Sequence, residues 1–441
     1  MPSSRGCAAP DPRGGPLAPG TPSFAAARGY PLQSFLLCLG AYALSQMDLA
    51  LFGYALKDIR SEFGVETTTL TYAIAAANVI GGMLLVGLGV VTDRIGRRHM
   101  LIAATLVSSV FIVLHALAPG LLALALLRGL SLGTGGLLYP ATGAIVTEES
   151  PARLRGLFAG MLQAGYPLGW FLGSVLAATL LPAFGWRALF LTGLVSIPYV
   201  LLIHRFLRES SRFRSHDRPG DVPRASVAEL FRHGRARRTV VLFLAQFLFV
   251  VAYGGTFQLF PLYFHDARGF DVAGAAFLVG LGNLLAIGGY LLAAWVGEFV
   301  LTRRTTVVLW TLAGSLCFVW LLWGTDTRGE ALFAFSVMCM FFLGVAAVKF
   351  AFVAEMFPTH LRATGLAFCG SLAVLLGSAT GPVLIGLALR SHGWNVAFSL
   401  FGALPLFLAG LMYLLLRPLP SGLDIDEVQR RLQEQEPGGR R

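Results

Sequence analysis

The chain contains 441 residues, of which 56% are hydrophobic and 13% are charged. Soluble globular domains usually carry about 25% charged residues, so this composition argues against a soluble enzyme or binding domain. Apolar runs of about 20 residues recur along the chain, and each could cross the roughly 30 Å hydrocarbon core of a bilayer. The net charge of +11 comes from arginines between these runs, which indicates membrane topology rather than nucleic-acid binding.

The apolar runs fall into two groups of six. We predict a disordered cytoplasmic N-terminus at 1–29, a six-helix half at 30–203, a cytoplasmic central loop at 204–239, a second six-helix half at 240–416 and a cytoplasmic tail at 417–441. Segment 1–29 is rich in Pro, Gly, Ala and Ser, a composition typical of disorder. The predicted fold class is an all-α integral membrane protein with twelve transmembrane helices.

Basic residues are distributed unevenly between the loops. Eighteen Lys or Arg residues fall in loops on the side of the two termini, and six fall on the other side. Because cytoplasmic loops carry an excess of Lys and Arg, both termini are predicted to be cytoplasmic. We therefore expect a multi-pass protein of the plasma (inner) membrane.

A tight charged hairpin separates the second and third apolar runs. Its glycines and charges follow one pattern, made by Gly89, Asp93, Arg94, Gly96, Arg97 and Arg98. This pattern resembles the signature loop between helices 2 and 3 of the major facilitator superfamily, and the resemblance covers about residues 34–416. It implies the major facilitator fold and secondary active transport by alternating access.

A second motif occurs twice, which indicates an internal duplication. Glu148, Pro151 and Arg155 follow the fourth run, and Glu355, Pro358 and Arg362 follow the tenth with the same spacing. Glu298 and Arg303 form a weaker echo of the charged hairpin after the eighth run. The superfamily resemblance implies that these charges act as conformational latches: Glu148 with Arg155 between spans 4 and 5, and Asp93, Arg94 and Arg97 across the two halves. The alternative is that they only anchor helix ends.

One acidic residue lies deep in the first apolar run. Asp48 has apolar residues on both sides for two or more helical turns. An ionisable side chain inside a span is costly and is therefore a functional candidate. We predict that Asp48 carries the coupled proton, with a fixed structural pair as the alternative.

Two basic residues also fall within spans. Arg128 opens span 4, and Lys349, one of only two lysines, lies in the middle of span 10. In the superfamily, spans 1, 4, 7 and 10 line the central cavity, so the resemblance implies that Arg128 and Lys349 balance an anionic substrate beside Asp48. The alternatives are that Arg128 extends to the headgroups and that Lys349 forms a salt bridge with Asp48 that closes the cavity.

Polar side chains in other spans are further candidates for substrate binding. These are Gln163 and Tyr166 in span 5, Tyr253 and Gln258 in span 7, and Asn283 in span 8. Gly254-Gly255 in span 7 predicts a helix break, which often marks a binding site in transporters. Each residue could instead be a hydrogen bond between helices.

The first span also indicates a subfamily. Asp48-x-x-Leu51-Phe52-Gly53 resembles the proton symporters of aromatic acids, sialate and related carboxylates. The aromatic-acid symporters typically have two acids here, in the order Asp-Gly-Tyr-Asp, and this chain has only the second.

These patterns predict a monomeric secondary active transporter that takes up a small organic anion with a proton. Its partners would be the bilayer, the substrate and protons, and its driving force a proton gradient; we expect no cofactor, no metal, no catalytic residues and no nucleic acid. The alternatives are a proton-coupled drug exporter, a sugar or metabolite facilitator of the same superfamily, or a non-transporting membrane sensor.

Overall fold

The computed structural model describes residues 29–151, 155–209, 227–232, 234–357 and 359–416, and every regular element in these ranges is helical. The helices of the first half are α1 (Tyr30–Phe63), α2 (Thr67–Ile95), α3 (Arg97–His115), α4 (Leu121–Gly135), α5 (Leu138–Glu149), α6 (Arg155–Leu162), α7 (Gly165–Leu191) and α8 (Ser196–Phe206). The predicted disordered N-terminus, apart from Gly29, and the predicted tail lie outside the described residues.

The second half begins after a short 3-10 helix at Val227–Phe231. Its α-helices are α9 (Ala236–Thr256), α10 (Phe260–Asp266), α11 (Val272–Phe299), α12 (Arg303–Trp323), α13 (Arg328–Gly344), α14 (Ala346–Glu355), α15 (Thr359–Leu366), α16 (Ala373–Phe398) and α17 (Leu404–Leu414). Short π-helical segments join α15 to α16 and α16 to α17.

Ten segments of the described chain are long and apolar enough to cross a membrane. Two of them, Phe158–Phe206 and Thr364–Leu414, contain 49 and 51 residues, more than twice the roughly 20 residues that one crossing needs. Each contains one glycine with non-helical backbone angles, Gly185 (φ 74°, ψ 177°) and Gly393 (φ 72°, ψ 177°). A positive φ of this kind is easily reached only by glycine.

The chain reverses direction at Gly185. Up to this turn α7 runs beside α1, and Trp186 at the turn donates through Nε1 to Glu62 at the far end of α1 (2.5 Å). After it, the hydroxyl of Tyr199 donates to the carbonyl of Leu37 near the start of α1 (2.8 Å). The segment therefore forms a hairpin of two antiparallel helices.

The second half repeats this hairpin at Gly393. Asn395, just after the reversal, donates to the carbonyl of Leu322 at the end of α12 (2.8 Å). The guanidinium of Arg304, at the start of α12, donates to the carbonyl of Leu414 (2.6 Å). The returning helix therefore follows α12 along its whole length, which supports the predicted duplication.

Glycines allow the closest helix pairs to touch through their backbones. A Cβ atom at Gly169 of α7 would overlap the Ala43 carbonyl oxygen and lie 2.7 Å from Met47 N, both in α1. Likewise, a Cβ at Gly255 of α9 would lie 3.0 Å from the carbonyl carbon of Gly381 in α16. Small residues at such crossings let helices approach in a membrane, where packing rather than hydrophobic burial drives association.

The predicted helix break at Gly254-Gly255 was wrong in its position. Both glycines remain in α9. They lie so close to α16 that neither position has room for a side chain. The regular helix ends at Thr256 and a 3-10 turn covers Phe257–Leu259, just before Pro261 near the start of α10. Proline lacks a backbone donor, so it suits the first turn of a new helix.

The two halves meet along α7 with α11 and along α2 with α16. Asn78 of α2 donates to the carbonyl of Ser378 in α16 (2.7 Å). Further along the same pair, Thr68 donates to the carbonyl of Gly386 (3.2 Å). At this end of the bundle, away from the arginine-rich hairpin, the guanidinium of Arg60 also contacts both carboxylate oxygens of Asp266 (2.5 and 3.0 Å).

The Gly169 contact generates a stability prediction. Gly169→Ala should lower the apparent melting temperature of the detergent-purified protein, because overpacking at a close contact costs about 1–3 kcal/mol. Gly288→Ala, on α11 with no atom within 4 Å of the added Cβ, is the matched control and should be neutral or slightly stabilising. Equal melting temperatures for the two variants would contradict this account of the α1–α7 contact.

Candidate functional site: a buried acid and two buried cations

Asp48 lies in the middle of α1, and only 4% of the residue is exposed. Its Oδ1 is fully buried and has no hydrogen-bond partner among the described residues. Buried polar atoms are almost always hydrogen-bonded, and leaving one unpaired costs free energy. The carboxyl group is therefore not held by a fixed structural pair at this atom.

Arg128 of α4 faces the same region and is 1% exposed. Its Nη2 donates to the carbonyl of Leu49 in α1 (2.8 Å), and its guanidinium lies over the ring of Phe52, 4.7 Å from the centroid. These contacts point the side chain into the bundle, so the alternative that Arg128 extends to the headgroups is wrong. Among the described residues, no carboxylate lies within ion-pair distance of it.

Asp48 and Arg128 line one small cavity of about 100 Å³ between α1, α3 and α4. Its polar wall includes the side chains of Ser45, Ser108 and Ser131. A carboxylate that faces this polar space can take up a proton, and a guanidinium that faces it can bind an anion. The arrangement can therefore link protonation of Asp48 to the charge that Arg128 offers.

Lys349 of α14 is 8% exposed and lies outside this cavity. Its ammonium group sits over the ring of Phe249, 3.2 Å from the centroid, a favourable cation–π contact. In the described part of the chain no carboxylate lies within 4 Å of it, so the alternative salt bridge with Asp48 is not formed. The ammonium group is therefore a buried cation without an acidic partner.

Two of the predicted substrate-binding residues meet between the halves. The hydroxyl groups of Tyr166 in α7 and Tyr253 in α9 are hydrogen-bonded to each other. Trp170 packs against Tyr166 on one side and edge-on against Phe257 on the other, with ring centroids 6.1 and 6.0 Å apart. The centre of the bundle is therefore aromatic, with hydroxyl groups at its middle.

The other predicted binding residues are not part of this group. Gln163 Nε2 donates to the hydroxyl of Tyr139 (2.5 Å), which joins α5 to the α6–α7 region. Asn283 Nδ2 donates to the carbonyl of Val279 in its own helix (2.8 Å). Gln258 Oε1 is buried without a described partner, which keeps it as a candidate.

The predicted latch charges pair within each half. Arg97 at the start of α3 forms an ion pair with Glu148 at the end of α5, and Arg303 pairs with Glu355 in the corresponding place. Arg303 also contacts Glu298 (2.8 Å). The expectation that Arg97 joins the two halves is corrected: its described ion pair closes the end of its own half.

The remaining hairpin residues are described in part. Gly96 has φ 95° and separates α2 from α3, and Arg98 donates to the carbonyl of His204 (2.6 Å). The side-chain surroundings of Gly89, Asp93, Arg94, Arg155 and Arg362 lie outside the described part of the structure.

Sequence reasoning missed the serines of the cavity and three charged or titratable residues. Ser108 and Ser131 are small polar residues inside apolar runs, a signal too common to single them out. His115, fully buried at the end of α3, is an ionisable residue in a span. Arg60 and Asp266 occupy matching positions in the two halves, 206 residues apart, and the duplication offset could have found them.

The described cysteines Cys38, Cys317, Cys339 and Cys369 are free. Within the ranges that the structure covers, no group of three or more His, Cys, Asp or Glu residues is placed to hold a metal ion.

Comparison with known proteins agrees with this architecture. The model of the Major Facilitator Superfamily matches residues 38–348. The chain is 29% identical over 365 residues to a putative niacin/nicotinamide transporter NiaP of Bacillus subtilis, covering 80% of this chain and 88% of that protein. It is 28% identical over 409 residues to the 4-hydroxybenzoate transporter PcaK of Pseudomonas putida, covering 83% and 88%.

The fold also matches a solved structure, the inward open xylose transporter XylE from E. coli. The TM-score is 0.71 at 16% identity, covering 91% of this chain and all of that one. At this identity the likeness concerns the fold alone. The resemblance to aromatic-acid transporters noted in the sequence is confirmed by the curated relatives. Because the family model matches well over half of its length, the chain belongs to the Major Facilitator Superfamily and is a membrane transporter, not an enzyme.

Proposed function

We propose that the protein is a proton-coupled symporter of small organic anions, with a carboxylate as the recognised group. The observation that carries the proposal is that Asp48, with an unpartnered carboxylate oxygen, and Arg128 line one polar cavity inside membrane-crossing helices. Relatives named for niacin and 4-hydroxybenzoate transport support a carboxylate substrate.

The charges suggest how the proton and the anion are coupled. With Asp48 ionised, its negative charge offsets that of Arg128 across the cavity. Once Asp48 takes up a proton, Arg128 is left as an uncompensated cation in a low-dielectric site, where its attraction for an anion is strong. Proton binding therefore favours substrate binding, and the substrate in turn favours protonation, since such coupling is reciprocal.

The second half supplies the other recognition elements. Lys349 offers a cation without an acidic partner, and displacement from the face of Phe249 would free it for a carboxylate. Tyr166, Tyr253 and Trp170 offer flat rings and hydroxyl groups between the halves. This chemistry suits a planar aromatic or unsaturated acid better than a sugar.

Alternating access would follow from the placement of the contacts between the halves. Arg60–Asp266 and Thr68–Gly386 join the halves at one end of the bundle. At the other end, Arg97–Glu148 and Arg303–Glu355 stabilise each half separately. Rocking of one half against the other would break the first set and leave the second intact.

We further propose twelve crossings, which result if the hairpins at Gly185 and Gly393 each divide one long apolar segment into two. The arginine-rich loops then face the cytoplasm of a bacterial-type inner membrane. The protein would work as a monomer driven by the proton gradient.

The first prediction of the proposed symport concerns Asp48. In proteoliposomes that contain a pH dye, addition of 4-hydroxybenzoate or nicotinate should acidify the lumen with wild-type protein and not with Asp48→Asn, because the amide cannot carry the proton. Asp58→Asn is the matched control, since Asp58 lies in the same helix but pairs with Lys57 (3.4 Å) instead of lining the cavity. Equal acidification by wild type and Asp48→Asn would remove Asp48 as the coupling acid.

The second prediction concerns Lys349. Lys349→Met should raise the KM for uptake of radiolabelled 4-hydroxybenzoate about 10- to 100-fold, because a hydrogen bond to a charged group contributes about 1.5–3 kcal/mol. The melting temperature should not fall, since the variant removes a buried cation that has no acidic partner. Lys57→Met, which changes the only other lysine, should leave KM unchanged. A normal KM in Lys349→Met would show that the lysine does not contact the substrate.

The third prediction concerns the contact between the halves. Arg60→Gln should expose the outer ends of α2 and α16 by weakening the closed arrangement. A cysteine introduced at Thr68, which is buried against Gly386, should then react faster with a membrane-impermeant maleimide in a background lacking the native cysteines.

The exchanged pair Arg60→Asp with Asp266→Arg is the control for that measurement. It restores opposite charges at the same two positions and should return the reaction rate towards wild type. Unchanged labelling in Arg60→Gln would contradict the gating role.

A further inference from the structure

A second buried ionisable residue lies beyond the cavity, at the end of α3. His115 is 0% exposed, and its Nδ1 lies 2.7 Å from the carbonyl oxygen of Phe111. A carbonyl oxygen only accepts hydrogen bonds, so Nδ1 carries the hydrogen and Nε2 carries the free lone pair. Nε2 is buried and has no hydrogen-bond partner among the described residues.

The imidazole ring belongs to a stack that ends at Arg128. It lies parallel to Phe190 of α7, with centroids 4.9 Å apart, and edge-on to Phe52 at 6.3 Å. The guanidinium of Arg128 covers Phe52. A phenylalanine at position 115 would satisfy this packing without a buried acceptor, whose desolvation costs free energy. The imidazole therefore offers a base that the packing does not require.

Along α3, His115 lies between the Asp48 cavity and the end of the bundle where Arg187 and Glu62 are exposed. Ile112, one turn earlier, lines the Asp48 cavity. Ala118, three residues later, donates its N–H to the carbonyl of His115 (3.1 Å) and accepts from the guanidinium of Arg187 (3.3 Å). Arg187 pairs with Glu62, and both side chains are 41% exposed.

The charged groups around His115 come from three helices. Asp48 belongs to α1, Arg128 to α4 and Arg187 to α7, where Glu62 already neutralises Arg187. The positive charge of Arg128 disfavours a lasting imidazolium ion at His115, and ionised Asp48 in the neighbouring cavity is a proton acceptor.

We propose that His115 is a proton-relay residue that connects the Asp48 cavity to the end of the bundle marked by Arg187 and Glu62. Nε2 accepts a proton to give the imidazolium ion, while Nδ1 keeps its hydrogen bond to Phe111. The same proton then passes to the Asp48 carboxylate, which leaves a neutral acid at Asp48 and restores the starting tautomer of His115. This inference rests on the proposed proton symport.

The test separates proton movement from substrate movement. His115→Phe keeps the ring stack and removes the base, and His115→Gln keeps a donor to Phe111 and also removes the base. In proteoliposomes, both variants should slow 4-hydroxybenzoate-driven acidification about 10-fold or more, since positioned proton transfer contributes at least that much. Counterflow exchange of radiolabelled 4-hydroxybenzoate, which needs no net proton movement, should stay close to wild type.

Ser109→Ala is the matched control, because Ser109 is buried in the same helix and its hydroxyl also lacks a described partner. It should leave acidification unchanged. Acidification at the wild-type rate in His115→Phe and His115→Gln would overturn the relay while leaving proton symport in place. Absence of acidification in wild type with intact counterflow would reject proton symport itself, and the relay with it.

Discussion

The structure depends on how a bundle of apolar helices accommodates the guanidinium group of Arg128. A charge removed from water must be compensated nearby, and incomplete compensation is costly. Here the compensation is partial: the Leu49 carbonyl accepts one hydrogen bond and the Phe52 ring covers the plane. The remaining positive charge faces a polar cavity that Asp48 shares. A proton that binds Asp48, or an anion that enters the cavity, therefore changes the charge balance around Arg128.

The two halves correspond in their scaffold and differ in their site residues. The reversals at Gly185 and Gly393 correspond, as do the ion pairs Arg97–Glu148 and Arg303–Glu355. The position 206 residues after Asp48, by contrast, is Gly254, which packs closely against Ser378. The matched features join helices within each half, whereas the buried charges of the site differ between the halves.

The sequence predicted the all-helical membrane fold and the buried acid because both follow from local signals. Apolar runs and the loop arginines are readable one segment at a time. The hairpins and the partners of individual charges depend on tertiary packing. The glycines at 254 and 255 illustrate the limit: their sequence suggests a break, but contact with α16 keeps them helical.

The sequence identifies the charged residues of the site, but it does not show which groups they contact. Asp48, Arg128 and Lys349 stand out because charges inside spans are rare. Nothing local indicates that Arg128 reaches α1 whereas Lys349 covers Phe249, since both contacts depend on how the helices are rotated. The burial of His115 has no local signal, because a helix-terminal histidine is usually a surface residue.

The central claim is that a proton and a substrate anion bind together. Calorimetric titration of purified protein with 4-hydroxybenzoate, in buffers of different ionisation enthalpy near neutral pH, measures proton uptake on binding directly. The account predicts binding heats that change with the buffer in proportion to a net proton uptake of up to about one per substrate bound, by reciprocal linkage. Binding with heats independent of the buffer would contradict it.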